Sequence, residues 1–160
     1  MTSTMETDRV VEAMLALLRE GYEGTDGWTW FITHEVSDGS ILATLANVTA
    51  EQASASPPHG GRTIAAHAEH LRWALAFANT FFRGEQPDFD WGKSWSVSRV
   101  DEEQWRALLA ELRKEYETLL KAIEQRGDWS DDNMLRGTMA QVAHSAYHLG
   151  AIRQLVRWAK

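Results

Sequence analysis

Hydrophobic residues recur every three or four positions over four long stretches of the chain, the spacing typical of helices with one buried face. The first stretch covers about residues 6–22, with apolar positions at Val10, Met14, Leu17 and Leu18. The others cover about residues 63–83, 100–126 and 130–160. A shorter stretch, residues 39–53, predicts one additional short helix. No sustained alternation of apolar and polar residues predicts a strand.

Glycine, proline and polar residues separate these stretches. Residues 54–61 hold two prolines and two glycines and form the clearest break. Thr63 is suited to cap the start of the next helix, and Gly84 to end it. Residues 24–38 indicate an ordered loop, and residues 84–99, with Pro87 and two tryptophans, indicate a long crossover loop. The patterns together predict an all-α four-helix bundle with a short extra helix.

Length and charge narrow the class of protein. At 160 residues the chain has the size of one domain, so we expect residues 1–160 to form a single bundle. A net charge of -7 without a basic cluster argues against nucleic acid as a partner, because binding to phosphates requires basic surface. No apolar run reaches 18 residues, and the N-terminus lacks the features of a signal peptide. We therefore expect a cytoplasmic protein without a membrane partner.

The chain has six histidines and no cysteine, so imidazoles are its main candidates for binding a transition metal. His144 and His148 are four residues apart, which places them on one face of a helix about 40° apart. Arg153 and Arg157 fall on the opposite face, so both imidazoles should point inward. His70 shares its helical face with alanines and aromatic residues and is predicted to point inward as well.

Three inward imidazoles on two helices predict a site for one divalent transition metal, with at least one coordination position open. Zinc is the default ion, and nickel, iron or cobalt also suit imidazole ligands. The alternative is that the inward histidines are core residues satisfied by carbonyls or waters. We expect His67 to support the ligands or line a cavity, not to bind as a fourth ligand. His34 and His59 are expected to lie in loops.

Two segments of the chain resemble the DinB-like family. Residues 63–71 read TIAAHAEHL and resemble the helix of that family with a single ligand histidine, here His70. Residues 142–154 read VAHSAYHLGAIRQ and resemble its closing helix, in which two histidines precede a glycine and an Arg-Gln ending. The likeness covers about residues 38–160. It implies an up-down-down-up bundle, dimeric assembly and a triad of His70, His144 and His148 in a central cavity. The extra His67 departs from the simplest triad of the family.

The resemblance leaves two classes of function open. Some relatives in the wider superfamily are metal-dependent transferases or isomerases that use low-molecular-weight thiols, which favours a metalloenzyme acting on a small molecule. A hydrolase is a variant of this hypothesis, although the sequence shows no obvious inward carboxylate base. His67, Gln141 and Tyr147 are expected to line the cavity, and no catalytic residue is assigned. The second class is a non-catalytic, metal-binding stress-response bundle that acts through a protein partner.

Overall fold

The computed structural model describes residues 2–32, 39–86 and 90–159, with side chains from residue 7 onward. Within these residues every regular element is helical, as the sequence predicts. The elements are α1 (Thr2–Glu23), α2 (Ile41–Ala46), α3 (Ala50–Ser54), α4 (Ile64–Phe82), a 3₁₀ turn (Lys93–Trp95), α5 (Glu102–Gln125) and α6 (Asp132–Trp158). Parts of the two predicted loops, residues 33–38 and 87–89, lie outside the described residues, and so does His34.

Helices α4 and α5 run in the same direction, which explains the long connection between them. The Thr63 hydroxyl, just before α4, donates to the Ser98 carbonyl just before α5, at 2.9 Å. Further along both helices, the Asn79 side-chain amide donates to the Glu115 carbonyl at 3.0 Å. The starts of α4 and α5 thus lie side by side, and so do later turns of both helices, which means that the two helices are parallel. The connection between them must therefore return along the length of the bundle.

Helices α1 and α6 run opposite to α4 and α5. The ring of Tyr22 on α1 stacks on that of Tyr116 on α5 at 4.4 Å, while Arg19, earlier on α1, pairs with Glu124, later on α5. Between α4 and α6, His67 contacts His148, while His70, later on α4, contacts His144, earlier on α6. The bundle therefore has the up-down-down-up topology that the family resemblance implies.

Helix ends follow the local chemistry of the sequence. Thr63 caps α4 as predicted, because its hydroxyl accepts from the Ala66 amide at 3.2 Å. At the other end, Gly84 has a φ of 74°, a conformation that favours glycine. Its amide bonds to the Phe81 carbonyl, and the Glu85 amide to the Thr80 carbonyl, which closes the last turn.

Two local expectations were wrong. The predicted helix over residues 39–53 is two helices, α2 and α3, because Thr49 and Gln52 form a reciprocal capping box that starts a new helix. On α1, Met14 and Leu18 are buried as predicted, but Val10 is 41% exposed and Leu17 is only half-buried. Val11 and Leu15 are buried in their place. In the described part of the chain, no helix has the length and apolar character needed to cross a membrane.

Candidate metal centre

Four histidines from two helices meet beside the crossover loop. His67 and His70 lie one turn apart on α4, and His144 and His148 lie one turn apart on α6. Because α4 and α6 are antiparallel neighbours, the two pairs face each other. His67, His70 and His148 are buried, and His144 is partly buried. The helical spacing and the crossing of the helices together build the cluster.

The Nε2 atoms of the three predicted ligands converge. His144 Nε2 lies 3.1 Å from His70 Nε2 and 3.0 Å from His148 Nε2. Two imidazole nitrogens on one tetrahedral zinc ion would be about 3.3 Å apart, given bond lengths of about 2.0 to 2.1 Å. The residues His70, His144 and His148 form a group that could hold a metal ion, and His67 is not part of it.

Ser94, in the 3₁₀ turn, fixes the tautomer of His70. The Ser94 hydroxyl donates its only proton to the Trp91 carbonyl at 2.6 Å. Its oxygen can therefore only accept from His70 Nδ1, which lies 2.8 Å away. With the proton on Nδ1, neutral His70 has a lone pair on Nε2, directed at the cluster. This is the arrangement that a metal-binding histidine requires.

His67 contacts the back of the His148 ring, since the two Nδ1 atoms are 2.8 Å apart. When His148 offers a lone pair on Nε2, its proton sits on Nδ1 and is donated to Nδ1 of His67. His67 then acts as an acceptor that orients His148, a position often taken by a carboxylate or a carbonyl. Its location agrees with a supporting role beside the ligands.

The protein groups alone cannot satisfy all three Nε2 atoms. His70 presents a lone pair, so its contact with His144 is a hydrogen bond only if His144 carries a proton on Nε2. That single N–H cannot also serve the contact with His148 Nε2 in good geometry. At least one of the two contacts is therefore not a good hydrogen bond, and it leaves a nitrogen of the cluster without a partner. A cation at the centre removes the conflict, so the donor set fits a metal.

All four imidazoles are held neutral by their surroundings. Burial lowers the pKa of His67 to about 4, with a smaller effect from the charge of Arg62. Burial and the neighbouring histidines lower the pKa of His70 to about 4 and that of His148 to about 3. Burial also lowers the pKa of His144. Near neutral pH the lone pairs needed for metal binding are therefore available.

Aromatic side chains of the crossover loop and α6 surround the cluster. The indole of Trp95 stacks on the imidazole of His70, with ring centroids 3.9 Å apart and planes 12° apart. Trp95 also meets His67 edge-on at 5.5 Å. Tyr147 is 70% exposed, and its ring meets His148 edge-on at 5.0 Å. Tyr147 thus lies at the exposed rim of the cluster, in contact with one of the three predicted ligands.

Gln141 lies one turn before His144 and lines a separate groove of about 410 Å³ between α4 and α6. The groove walls include Phe77 and Phe81 on α4 and Gly137 on α6. Phe77 contacts Trp91 at 5.6 Å, and Trp91 contacts His70 at 6.2 Å. Gln141 therefore borders a groove beside the cluster.

Sequence patterns do not reveal Ser94, because it lies in a loop without periodicity. The sequence also gives no sign of Glu20, a buried carboxylate that accepts hydrogen bonds from the amides of residues 30–32 at 2.8 to 3.0 Å. Glu20 fixes the loop after α1 and has no contact with the cluster in the described part of the chain. His59 is exposed in the loop before α4, as expected.

Comparison with known proteins supports the family resemblance. A search of curated proteins and a search of solved structures each give no match. The sequence profile of the DinB superfamily matches residues 34–152, well over half of the chain, and the match includes α2 to α5 and all four histidines of the cluster. The chain belongs to the DinB superfamily.

Proposed function

We propose that His70, His144 and His148 bind one divalent transition metal ion, zinc by default, and that the centre acts on a small molecule as a metal-dependent enzyme. The convergence of three Nε2 atoms, whose contacts cannot all be hydrogen bonds, carries this proposal. Three protein ligands leave a position for a further ligand, as in catalytic sites, whereas purely structural zinc sites use four.

Residues around the three ligands orient them and shield them from water. Ser94 and His67 orient two of the ligands through the bonds at Nδ1. Trp95 shields His70 from water by stacking on its ring. When bound, a divalent ion supplies positive charge that three neutral imidazoles do not balance, so an anionic ligand such as a thiolate is favoured.

A carboxylate bonded to the cluster would distinguish two reaction classes. Among residues 7–32, 39–86 and 90–159, no carboxylate hydrogen-bonds to any of the four histidines. Glu69 lies on the same helix as two of them, but both of its carboxylate oxygens accept hydrogen bonds from the Arg72 guanidinium at 2.7 Å. A hydrolase would use a positioned base to activate water. The cluster instead favours a transferase that takes a low-molecular-weight thiol, which needs no such carboxylate.

Metal analysis of the purified protein tests the metal part of this proposal. Protein purified without chelator should carry about one metal ion per chain. His144→Ala and His148→Ala should each lose it, because the remaining donors chelate poorly. His67→Ala is the matched control, a buried histidine of the same cluster that should retain the metal. Full metal content in the His144 and His148 variants, or loss in His67→Ala but not in His70→Ala, would contradict the assignment.

Cobalt substitution tests whether a coordination position is open. Cobalt-loaded protein should develop a thiolate charge-transfer band and altered d-d bands when a small thiol is added. The His148→Ala variant should show neither change. A spectrum that is indifferent to thiols, azide and pH would reject the enzyme proposal. It would favour the alternative that the ion only stabilises the bundle and that the protein acts through a partner.

A further inference from the structure

An arginine lies beside the cluster, against the indole that packs on His70. Arg62 is exposed in the segment before α4, and its guanidinium carbon lies 5.1 Å from the centre of the Trp95 ring. The same indole stacks on His70 at 3.9 Å. The guanidinium is therefore no more than about 9 Å from the His70 ring centre. A small molecule bound to an ion at the histidines could extend past the edge of the indole to reach the arginine.

The positive charge of Arg62 has no carboxylate partner among the residues that the structure describes. Other arginines do: Arg72 pairs with Glu69, and Arg83 pairs with Glu85. The guanidinium of Arg62 instead lies over the ring of Trp95. This cation–π contact holds the group in place and leaves its five N–H donors available. In a chain with a net charge of -7, Arg62 places a positive charge beside the cluster.

Arg62 and the cluster share a neighbour, since the Trp95 indole contacts the rings of both His70 and His67. A molecule with two anionic groups could therefore meet the positive charge of a bound ion at one end and that of Arg62 at the other. The nearest histidines are neutral and offer no competing charge. The arrangement suits a ligand with two negatively charged ends.

We propose that the small molecule taken by the three-histidine centre carries a second anionic group, a carboxylate a few bonds from the metal-binding atom, and that Arg62 binds this carboxylate. The inference rests on the proposed function and narrows its substrate to thiols, or similar anions, that bear a carboxylate. Arginine suits this role because its planar fork matches the two oxygens of a carboxylate. Arg62 is a specificity residue here and takes no part in binding the metal.

Three thiols of similar length test the inference with cobalt-loaded protein: 3-mercaptopropionate, 2-mercaptoethanol and cysteamine. Their second groups are anionic, neutral and cationic. The dissociation constants are read from the charge-transfer band. The preference of the wild-type protein for 3-mercaptopropionate over 2-mercaptoethanol should fall about tenfold in Arg62→Gln, the effect of one charge-assisted contact at a partly exposed site. Comparing the ratio between proteins cancels the different basicities of the thiols.

Matched variants separate a specific contact from a general effect of charge. Arg113→Gln removes the same charge from an exposed position on α5, a helix that carries none of the four histidines, and should leave the preference unchanged. Arg62→Lys keeps the charge without the planar fork and should retain part of the preference. Arg62→Gln should keep its full metal content and thermal stability, because the side chain is exposed.

Failure of the inference and failure of the proposed function look different. If no thiol alters the cobalt spectrum of the wild-type protein, the open metal centre itself is wrong. If all three thiols bind but Arg62→Gln weakens them equally, or not at all, the metal centre stands and the carboxylate contact is wrong. An equal change in Arg62→Gln and Arg113→Gln also overturns the inference, since it would reflect net charge alone.

Discussion

Replacing Ser94 with alanine should weaken metal binding although Ser94 does not touch the ion. The Ser94 hydroxyl is fully buried and is the acceptor for His70 Nδ1–H at 2.8 Å. Without it, the imidazole either keeps an unpaired N–H in a buried place or moves its proton to Nε2, which removes the lone pair needed by the metal. Both responses lower metal affinity and leave the other ligands in place.

The expected loss in Ser94→Ala is about 10- to 100-fold in metal affinity, typical of removing the partner of a ligand histidine. That loss equals about 1.4 to 2.8 kcal/mol. The assay is competition for zinc against a chromophoric chelator, with the metal-free protein checked for folding by circular dichroism. Since the hydroxyl also donates to the Trp91 carbonyl, part of any change in thermal stability comes from that bond.

Ser145→Ala supplies the matched control. Ser145 is also fully buried, and its hydroxyl donates to the Val142 carbonyl of its own helix at 2.8 Å. Its removal should lower stability by about 1 kcal/mol without a comparable loss of metal affinity. Zinc affinity of Ser94→Ala within twofold of that of Ser145→Ala would refute the idea that Ser94 sets the His70 tautomer.

Three further predictions concern the cluster and its support. His67→Ala should keep one metal per chain but bind it about tenfold more weakly in the same competition assay, because the His148 Nδ1 proton loses its acceptor. The free energy of unfolding of the metal-free protein should fall as the pH drops from 7.5 to 5.5 in urea titrations. The pKa values of His67, His70 and His148 lie at about 4, 4 and 3, below 6.5, so the unfolded chain takes up more protons in this range; a flat or rising profile would be inconsistent with this. Glu20→Gln should cost about 1 to 3 kcal/mol in urea unfolding, because a buried carboxylate that accepts from three amides becomes a neutral amide, and an unchanged midpoint would argue against it.

The helices and the two histidine pairs are predictable because they depend on periodicity. His144 and His148 share a face by their spacing alone, and Thr63 and Gly84 mark helix ends through local chemistry. The division of residues 39–53 into two helices was also readable, since Thr49 and Gln52 have the spacing of a capping box. The apolar stripe of Ile41, Leu42, Leu45 and Val48 reaches that boundary, so periodicity alone predicts a single helix.

Other parts of the site depend on contacts between distant segments, which a single sequence does not encode locally. The bond between His70 and Ser94 requires the crossover loop to fold back over α4. The pairing of His67 with His148 requires the antiparallel crossing of α4 and α6 at one particular height. The position of Tyr147 at the rim depends on the same crossing. Periodicity predicts which face of a helix is buried, but it does not predict how far the helix is shifted along its axis relative to a neighbouring helix.

One metal ion is proposed to bind to the Nε2 atoms of three histidines. A crystal structure of zinc-loaded protein, with diffraction data collected on both sides of the zinc absorption edge, tests this most directly. We predict one anomalous peak per chain within about 2.0 to 2.1 Å of the Nε2 atoms of His70, His144 and His148, with His67 bonded to His148 and not to the ion. A zinc ion bound to His67 in place of His70, or no anomalous peak near the four histidines, would contradict this prediction.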